Sequence, residues 1–308
     1  MPRTGRPRTY DAARVSTPAE RQARARFKRR QGPVVLGSCT LWQGDCLPLL
    51  AAGLLPAHSV SLIVADLPYG VTQCVWDSVL PMETLWPCYT HLLKPNGAVL
   101  FTATMGFAKT LIDSNPTWFK DDLPWEKANG TNPMQAQQRT LDVHEHVLVF
   151  YARQPTFHPL MTTGHKPVRG FYDASKRMGE IYGQKTVSTH RDNPDGDRYQ
   201  RSILGPYTRD LGTGHPTRKP VALLRDLLRM YSNPGDLVLD NVMGSGTTGE
   251  ACVQEGRRFL GIELNPTYFA TACQRIRDAL AQRQKQARQG DLFATAATPT
   301  QGQLFAAD

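Results

Sequence analysis

The 308-residue chain lacks any long apolar run. No stretch approaches the roughly 20 apolar residues that a membrane-spanning helix needs. Nor does its basic N-terminus lead into the apolar segment of a secretory signal peptide. These absences point to a cytoplasmic protein with no membrane partner. Cysteine is sparse as well. Cys39, Cys46, Cys74, Cys88, Cys252 and Cys273 form no CxxC pair and stand at no zinc-ligand spacing with histidine. They read as reduced, mostly buried thiols. His144 and His146 fall on one face of a strand, yet no further ligands cluster around them in sequence, so no metal is assigned.

Acidic residues are scarce in one place. Residues 1–30 hold ten Lys/Arg against two Asp/Glu, whereas the remainder is almost balanced, 26 against 25. The net charge of +9 therefore belongs mainly to a flexible arm over 1–32. Such an arm suits phosphate neutralisation and counterion release; a solubilising tail is the other reading. Within it, Gly5-Arg6-Pro7-Arg8 has the form of a minor-groove AT-hook core.

Beyond the arm, strands and helices alternate. Thr40-Leu41-Trp42 reads as a short strand ending at Gly44-Asp45, and Ser61 to Ala65 as a buried strand ending at Asp66. The spacing of Met82, Leu85, Trp86, Tyr89, Leu92 and Leu93 predicts a helix over 81–93, stopped by Lys94-Pro95-Asn96-Gly97. Ala98 to Ala103 and His146 to Tyr151 read as strands. Residues 152–215 lose all periodicity and read as an insertion. Order returns with a helix over 219–231 and a strand Leu237 to Leu239. A glycine-rich turn and a helix follow, then a strand Phe259 to Ile262, and a last helix from about Pro266. This alternation predicts an α/β fold with a doubly wound, mostly parallel sheet. The folded domain is expected over 33–286, with a Gln/Ala/Thr-rich disordered tail over 287–308.

Asp240-Asn241-Val242-Met243-Gly244-Ser245-Gly246-Thr247-Thr248-Gly249 joins a strand to a helix and satisfies GxGxxG. Glycines let the backbone turn sharply and approach a ligand closely. Asp240 directly precedes the loop, and Glu263 ends the next strand, where a carboxylate can take both hydroxyls of a ribose. The loop indicates an adenosine-containing cofactor without distinguishing NAD from S-adenosylmethionine.

Asp66-Leu67-Pro68-Tyr69 follows a buried strand, which puts it at the carboxyl end of the sheet, where open α/β folds bind ligands. These residue types suit an exocyclic amine of adenine or cytosine. Such an amine is a poor nucleophile because its lone pair is delocalised into the ring. Hydrogen bonds from its two protons to Asp66 and to the Leu67 carbonyl favour a tetrahedral nitrogen. Pro68 fixes the turn and brings no competing N–H. Tyr69 can stack on a base extruded from the duplex. A strand-to-turn junction with a helix-capping Asp is the plainer reading.

Together these segments resemble the amino-methyltransferases of DNA, the N6-adenine/N4-cytosine family, in their beta arrangement. There the catalytic motif comes first, a target-recognition region next and the cofactor motif last. The resemblance covers about 40–151 and 213–280 and implies a Rossmann-like fold that uses S-adenosyl-L-methionine, with 152–215 as the target-recognition insertion. It implies that Asp45 and Cys46, in Gly44-Asp45-Cys46-Leu47, lie by the cofactor's adenine amine. It places Lys219, in Thr217-Arg218-Lys219-Pro220, beside the cofactor's methionine moiety. Asp240, Val242, Gly244, Ser245, Gly246, Thr247 and Thr248 then form the cofactor loop, and Glu263 is the ribose acid. Trp125-Glu126-Lys127 and His144-Glu145-His146 match segments flanking the target base. Leu67 stands where most members have proline, and Val242 where most have phenylalanine. Asp rather than Ser at position 66 favours adenine N6 over cytosine N4 in double-stranded DNA.

Gln289-Gly290-Asp291-Leu292-Phe293 recurs as Gln301-Gly302-Gln303-Leu304-Phe305. Both resemble the QxxLF peptides that dock on the bacterial sliding clamp; chance in a Gln-rich tail is the alternative. Three other functions compete with DNA methylation. They are a nicotinamide-dependent oxidoreductase, an RNA or protein-glutamine methyltransferase, and a non-catalytic DNA-binding relative.

Overall fold

The computed structural model describes residues 32–53, 55–69, 80–131, 133–173, 188–208 and 218–296. The basic arm, all but its last residue, and the Gln301–Phe305 segment lie outside the described residues. Among the described residues the central sheet has nine strands in the order β1-β2-β13-β12-β3-β4-β6-β5-β11. Five of them, β2 (Cys39–Gln43), β13 (Arg258–Glu263), β12 (Leu237–Asp240), β3 (Val60–Ala65) and β4 (Leu93–Ala103), run parallel. β1 (Val34–Leu36) pairs antiparallel at one edge. On the other side β6 (Asp142–Phe150) runs antiparallel to both β4 and β5 (Phe119–Thr131), and β11 (Leu204–Tyr207) closes the edge parallel to β5.

Side chains alternate between two cores with the two-residue period of a strand covered on both faces. In β3, Leu62 and Val64 face one core with Leu223, Leu227, Val253 and Ile276, from helices α4 (Val221–Tyr231), α5 (Thr247–Glu255) and α6 (Pro266–Ala296). Ile63 and Ala65 face the other, with Leu49, Leu85, Tyr89 and Leu111 from α1 (Cys46–Ala51), α2 (Met82–Leu92) and α3 (Met105–Ser114). The expected doubly wound α/β architecture is present.

The crossovers explain where a ligand can sit. From β12 the chain passes through α5 to β13 on one side; from β3 it passes through α2 to β4 on the other. β12 and β3 are neighbours, so the winding reverses between them. Crevices open at the carboxyl ends of strands at such a reversal. The Asp240 loop and the Asp66 loop leave from those two carboxyl ends.

Three segments differ from the sequence expectations. Lys94 to Gly97 does not end one element before another begins. It is a bulge inside β4, since Val60 pairs with Leu93 but Leu62 with Ala98. The 152–215 stretch contributes an integral edge strand, β11, besides two small ribbons, β7–β10 (Met161–Thr162 with Arg198–Tyr199) and β8–β9 (Val168–Asp173 with Ser188–Asn193). α6 continues to Ala296, ten residues into the segment expected as disordered tail, because Ala, Gln and Arg are good helix formers. The Gln289–Phe293 repeat therefore falls in its last turns. No helix among the described residues is long and apolar enough to cross a membrane.

Candidate active site

Asp66 is the first residue after β3, and its carboxylate is about one-third exposed. Its Oδ1 accepts from the Thr102 hydroxyl at 2.5 Å and from the Tyr69 hydroxyl at 2.8 Å. Its Oδ2 accepts from the Lys219 ammonium at 2.7 Å. The Tyr69 hydroxyl also lies 3.2 Å from the Thr102 carbonyl, and its ring packs on Phe107 with centroids 4.9 Å apart. Burial, and then the nearby Asp66 and Glu145 charges, push the Tyr69 phenol far above its ordinary range, so it stays a donor. Leu67 is buried and anchors the turn in the α1–α3 core.

Lys219 precedes α4 by two residues. Its ammonium stands on the Asp66 loop rather than on the glycine loop, and it faces a second carboxylate, Glu145 Oε2, at 3.4 Å. Burial alone would lower the Lys219 pKa; Asp66 and Glu145 outweigh burial and raise it, so the group stays cationic. Glu145 sits in β6 opposite Trp125 of β5, and its Oε1 pairs with Lys127 at 2.8 Å. His146, the next residue in β6, is buried with Nδ1 2.9 Å from both Asp122 oxygens.

The glycine loop lies on the β12 side of the reversal. Asp240 is buried, accepting from Thr248 Oγ1 at 2.6 Å and from the Val242 backbone N–H at 3.1 Å. Burial pushes its carboxyl up to about 7, and the Asp66 and Glu263 charges press in the same direction. Glu263 accepts from the Gly244 N–H at 2.9 Å and the Asn265 N–H at 2.6 Å, tying the end of β13 to the loop. Burial raises its pKa too.

Two glycines answer different demands. Gly246 has φ +80, and a Cβ there would stand 2.8 Å from Ala272 Cβ. Gly244 has φ +53, and a Cβ there would meet nothing within 4 Å. The loop thus leaves open space at Gly244, beside two carboxylates and ahead of the N-terminus of α5, which fits a polar, hydroxyl-bearing ligand.

The other expected cofactor residues are placed as follows. Asp45 caps α1 by accepting from the Leu47 N–H at 3.0 Å, and the Gly44 N–H donates to the Glu263 carbonyl at 2.9 Å, so this turn adjoins the loop. Cys46 points inward, its sulfur 3.6 Å from Asn241 Nδ2. Burial pushes that thiol up to about 11. Ser245 and Thr247 are engaged from behind. Arg275 of α6 donates to the Ser245 carbonyl and hydroxyl and to Thr247 Oγ1 at 2.9 to 3.1 Å, and pairs with Glu250. Val242 packs partly buried against the α1–α3 core.

Sequence reasoning missed Thr102 and Arg275. The signal for Thr102 was a lone polar residue near the carboxyl end of an apolar strand. For Arg275 there was none, since its partners lie about 30 residues away.

The family model of the DNA methylases, N6 and N4 type, matches residues 60–274, well over half of the chain. The DNA adenine methyltransferase YhdJ of Escherichia coli is 27% identical over 258 residues, covering 77% of this chain and 82% of YhdJ. The structure of the M1.HpyAVI–SAM complex superposes with a TM-score of 0.54 at 24% identity, covering 77% of this chain and 98% of that one. The cytosine-N4-specific PvuII DNA methyltransferase superposes with a TM-score of 0.53 at 18% identity, covering 77% and 86%. The shared fold, and the match that spans both loops and the strands between them, show that this chain belongs to the N6/N4 DNA methylase family.

Proposed function

We propose that this chain is an S-adenosylmethionine-dependent DNA methyltransferase that modifies the exocyclic N6 of an adenine extruded from double-stranded DNA. The observation that carries this reading is the Asp66 carboxylate. Tyr69, Thr102 and Lys219 occupy three of its roughly four lone-pair sites. The remaining one belongs to Oδ2, on a side chain that is partly exposed. One N–H of the target amine fits that acceptor, and the other fits the Leu67 carbonyl. Two such bonds draw the nitrogen out of conjugation and aim its lone pair away from the loop. Tyr69, backed by Phe107, offers its remaining face to the base. Holding the amine in that geometry supplies much of the acceleration.

S-adenosylmethionine, when bound, supplies a methyl group activated by its sulfonium. The residues proposed to hold it are the backbone at Gly244, the Glu263 carboxylate for ribose hydroxyls, Asp45 and the Cys46 backbone for the adenine, and Asp240 as the buried brace of the loop.

Asp at position 66 supports adenine, as does the likeness to YhdJ, named as an adenine enzyme. Cytosine N4 is the alternative, because the PvuII enzyme shares the fold. Methylating duplex DNA with labelled cofactor and hydrolysing it to nucleosides decides between them: N6-methyladenine is expected, and N4-methylcytosine would shift the assignment. Asp66→Ala should abolish methylation while calorimetry still detects cofactor binding; undiminished turnover would overturn the mechanism.

A further inference from the structure

Lys219 stands between two carboxylates. It lies 2.7 Å from Asp66 Oδ2 and 3.4 Å from Glu145 Oε2, with its side chain only 11% exposed. Glu145 Oε2 is buried and has no hydrogen-bond partner among the described residues. The other oxygen of Glu145 is held by Lys127 at 2.8 Å. The four side chains form an alternating row, Asp66, Lys219, Glu145, Lys127, that starts at the reactive loop and runs into the sheet. A buried carboxylate oxygen left without a hydrogen bond is costly. The Lys219 cation is the group within reach that can satisfy it.

We propose that Glu145 is a positioning residue for methyl transfer: it shares the Lys219 ammonium with Asp66 and takes a larger part of it when the target amine binds Asp66 Oδ2. The inference rests on the function proposed above. With Lys219 fully on Asp66, that carboxylate is a weak acceptor, its charge spent on an ammonium. When the amine arrives, Oδ2 gains a new donor. Lys219 then needs to move by less than 1 Å to reach hydrogen-bond distance of Glu145. The Asp66 charge is then left to the amine nitrogen as that nitrogen takes the methyl group and becomes positive. Among the described residues, Tyr69 and Asp240 face Asp66, Tyr69 also faces Glu145, and Lys127 pairs with Glu145.

The test compares Glu145→Gln with the parent enzyme on duplex DNA. Glutamine keeps the shape but cannot hold the ammonium as an ion pair, so Lys219 commits to Asp66. Turnover is expected to fall about tenfold or more at saturating substrates, with the KM for S-adenosylmethionine changed less than about twofold. A structural defect would not spare the KM while lowering turnover, nor be relieved by the shorter carboxylate. Glu145→Asp should recover part of the turnover. Glu145→Gln/Lys127→Gln removes the stranded Lys127 charge and should be as slow as Glu145→Gln alone.

Calorimetric cofactor binding and thermal melting establish that each variant is folded. Undiminished turnover in a folded Glu145→Gln variant, or full recovery in the double variant, overturns the proposal. Absence of methylation by the parent protein would instead count against the proposed function, so the two failures are distinguishable.

Discussion

Thr102 is the least conspicuous donor to Asp66. It occupies a strand whose neighbours Leu100, Phe101 and Ala103 are all buried, and its hydroxyl has a single role, the 2.5 Å bond to Oδ1. Hydrogen bonds to a charged acceptor are worth about 1.5–3 kcal/mol. Thr102→Val keeps the shape and removes the bond. Turnover should drop by about tenfold to a hundredfold, with cofactor affinity nearly unchanged in a calorimetric titration; equal turnover would show that Tyr69 suffices to orient Asp66. Asp240 makes a different residue-scale prediction. Its folded pKa of about 7 stands above the unfolded value near 3.8, so the native state holds that proton more tightly. The associated stability is complete below pH 4 and is lost as pH rises through 7. The displacement is worth on the order of 4 kcal/mol. The urea midpoint of the cofactor-free protein should therefore fall less between pH 5 and 8 in Asp240→Asn than in the parent. Burial raises Glu263 too, which leaves a residual slope in the variant. Parallel midpoint curves for the two proteins would rule out Asp240 as the source.

At the scale of elements, the glycine loop is held from behind by α6. Arg275 reaches Ser245, Thr247 and Glu250 at once, and so fixes the turn against the first turn of α5. Arg275→Met keeps the aliphatic stem but drops these bonds. Its Kd for S-adenosylmethionine should rise about tenfold, while turnover at saturating cofactor stays close to that of the parent. An unchanged Kd would mean that the loop is rigid without the brace. The same elements show what could be read from the chain. β3, α2, α4, β12 and β13 were legible because each carries one strong period: β3 is buried throughout, and α4 turns Leu224, Leu227, Leu228 and Tyr231 inward. β5 was not legible, because only Leu123 and Trp125 of its 13 residues are buried and no alternation emerges. α3 escaped notice for a similar reason, with three buried residues in ten. In the candidate site, the places of Asp66, Asp240 and Glu263 were legible because each stands where a strand gives way to a loop. The seat of Lys219 was not, since it depends on a contact spanning 153 residues.

At the scale of the molecule, charge and chemistry are divided along the chain. The domain beyond residue 30 is almost electrically balanced, whereas residues 1–30 carry ten of the 36 Lys/Arg. A nearly neutral domain gains little from the polyanionic field of DNA, so the arm should supply most of the sequence-independent affinity. Each phosphate neutralised contributes about −0.9 to the slope of log K against log salt. Removing residues 2–31 should therefore weaken DNA binding most strongly near 50 mM salt, a condition chosen as roughly the low end of the range where counterion release acts. It should also flatten the salt slope, so that the two proteins converge as salt rises. Methylation at saturating DNA should persist, because Asp66, Lys219 and the glycine loop all lie in the remaining domain. Fluorescence anisotropy over a salt series measures both quantities. Identical slopes with and without the arm would reduce it to a solubilising segment and would move the phosphate contacts onto the folded domain.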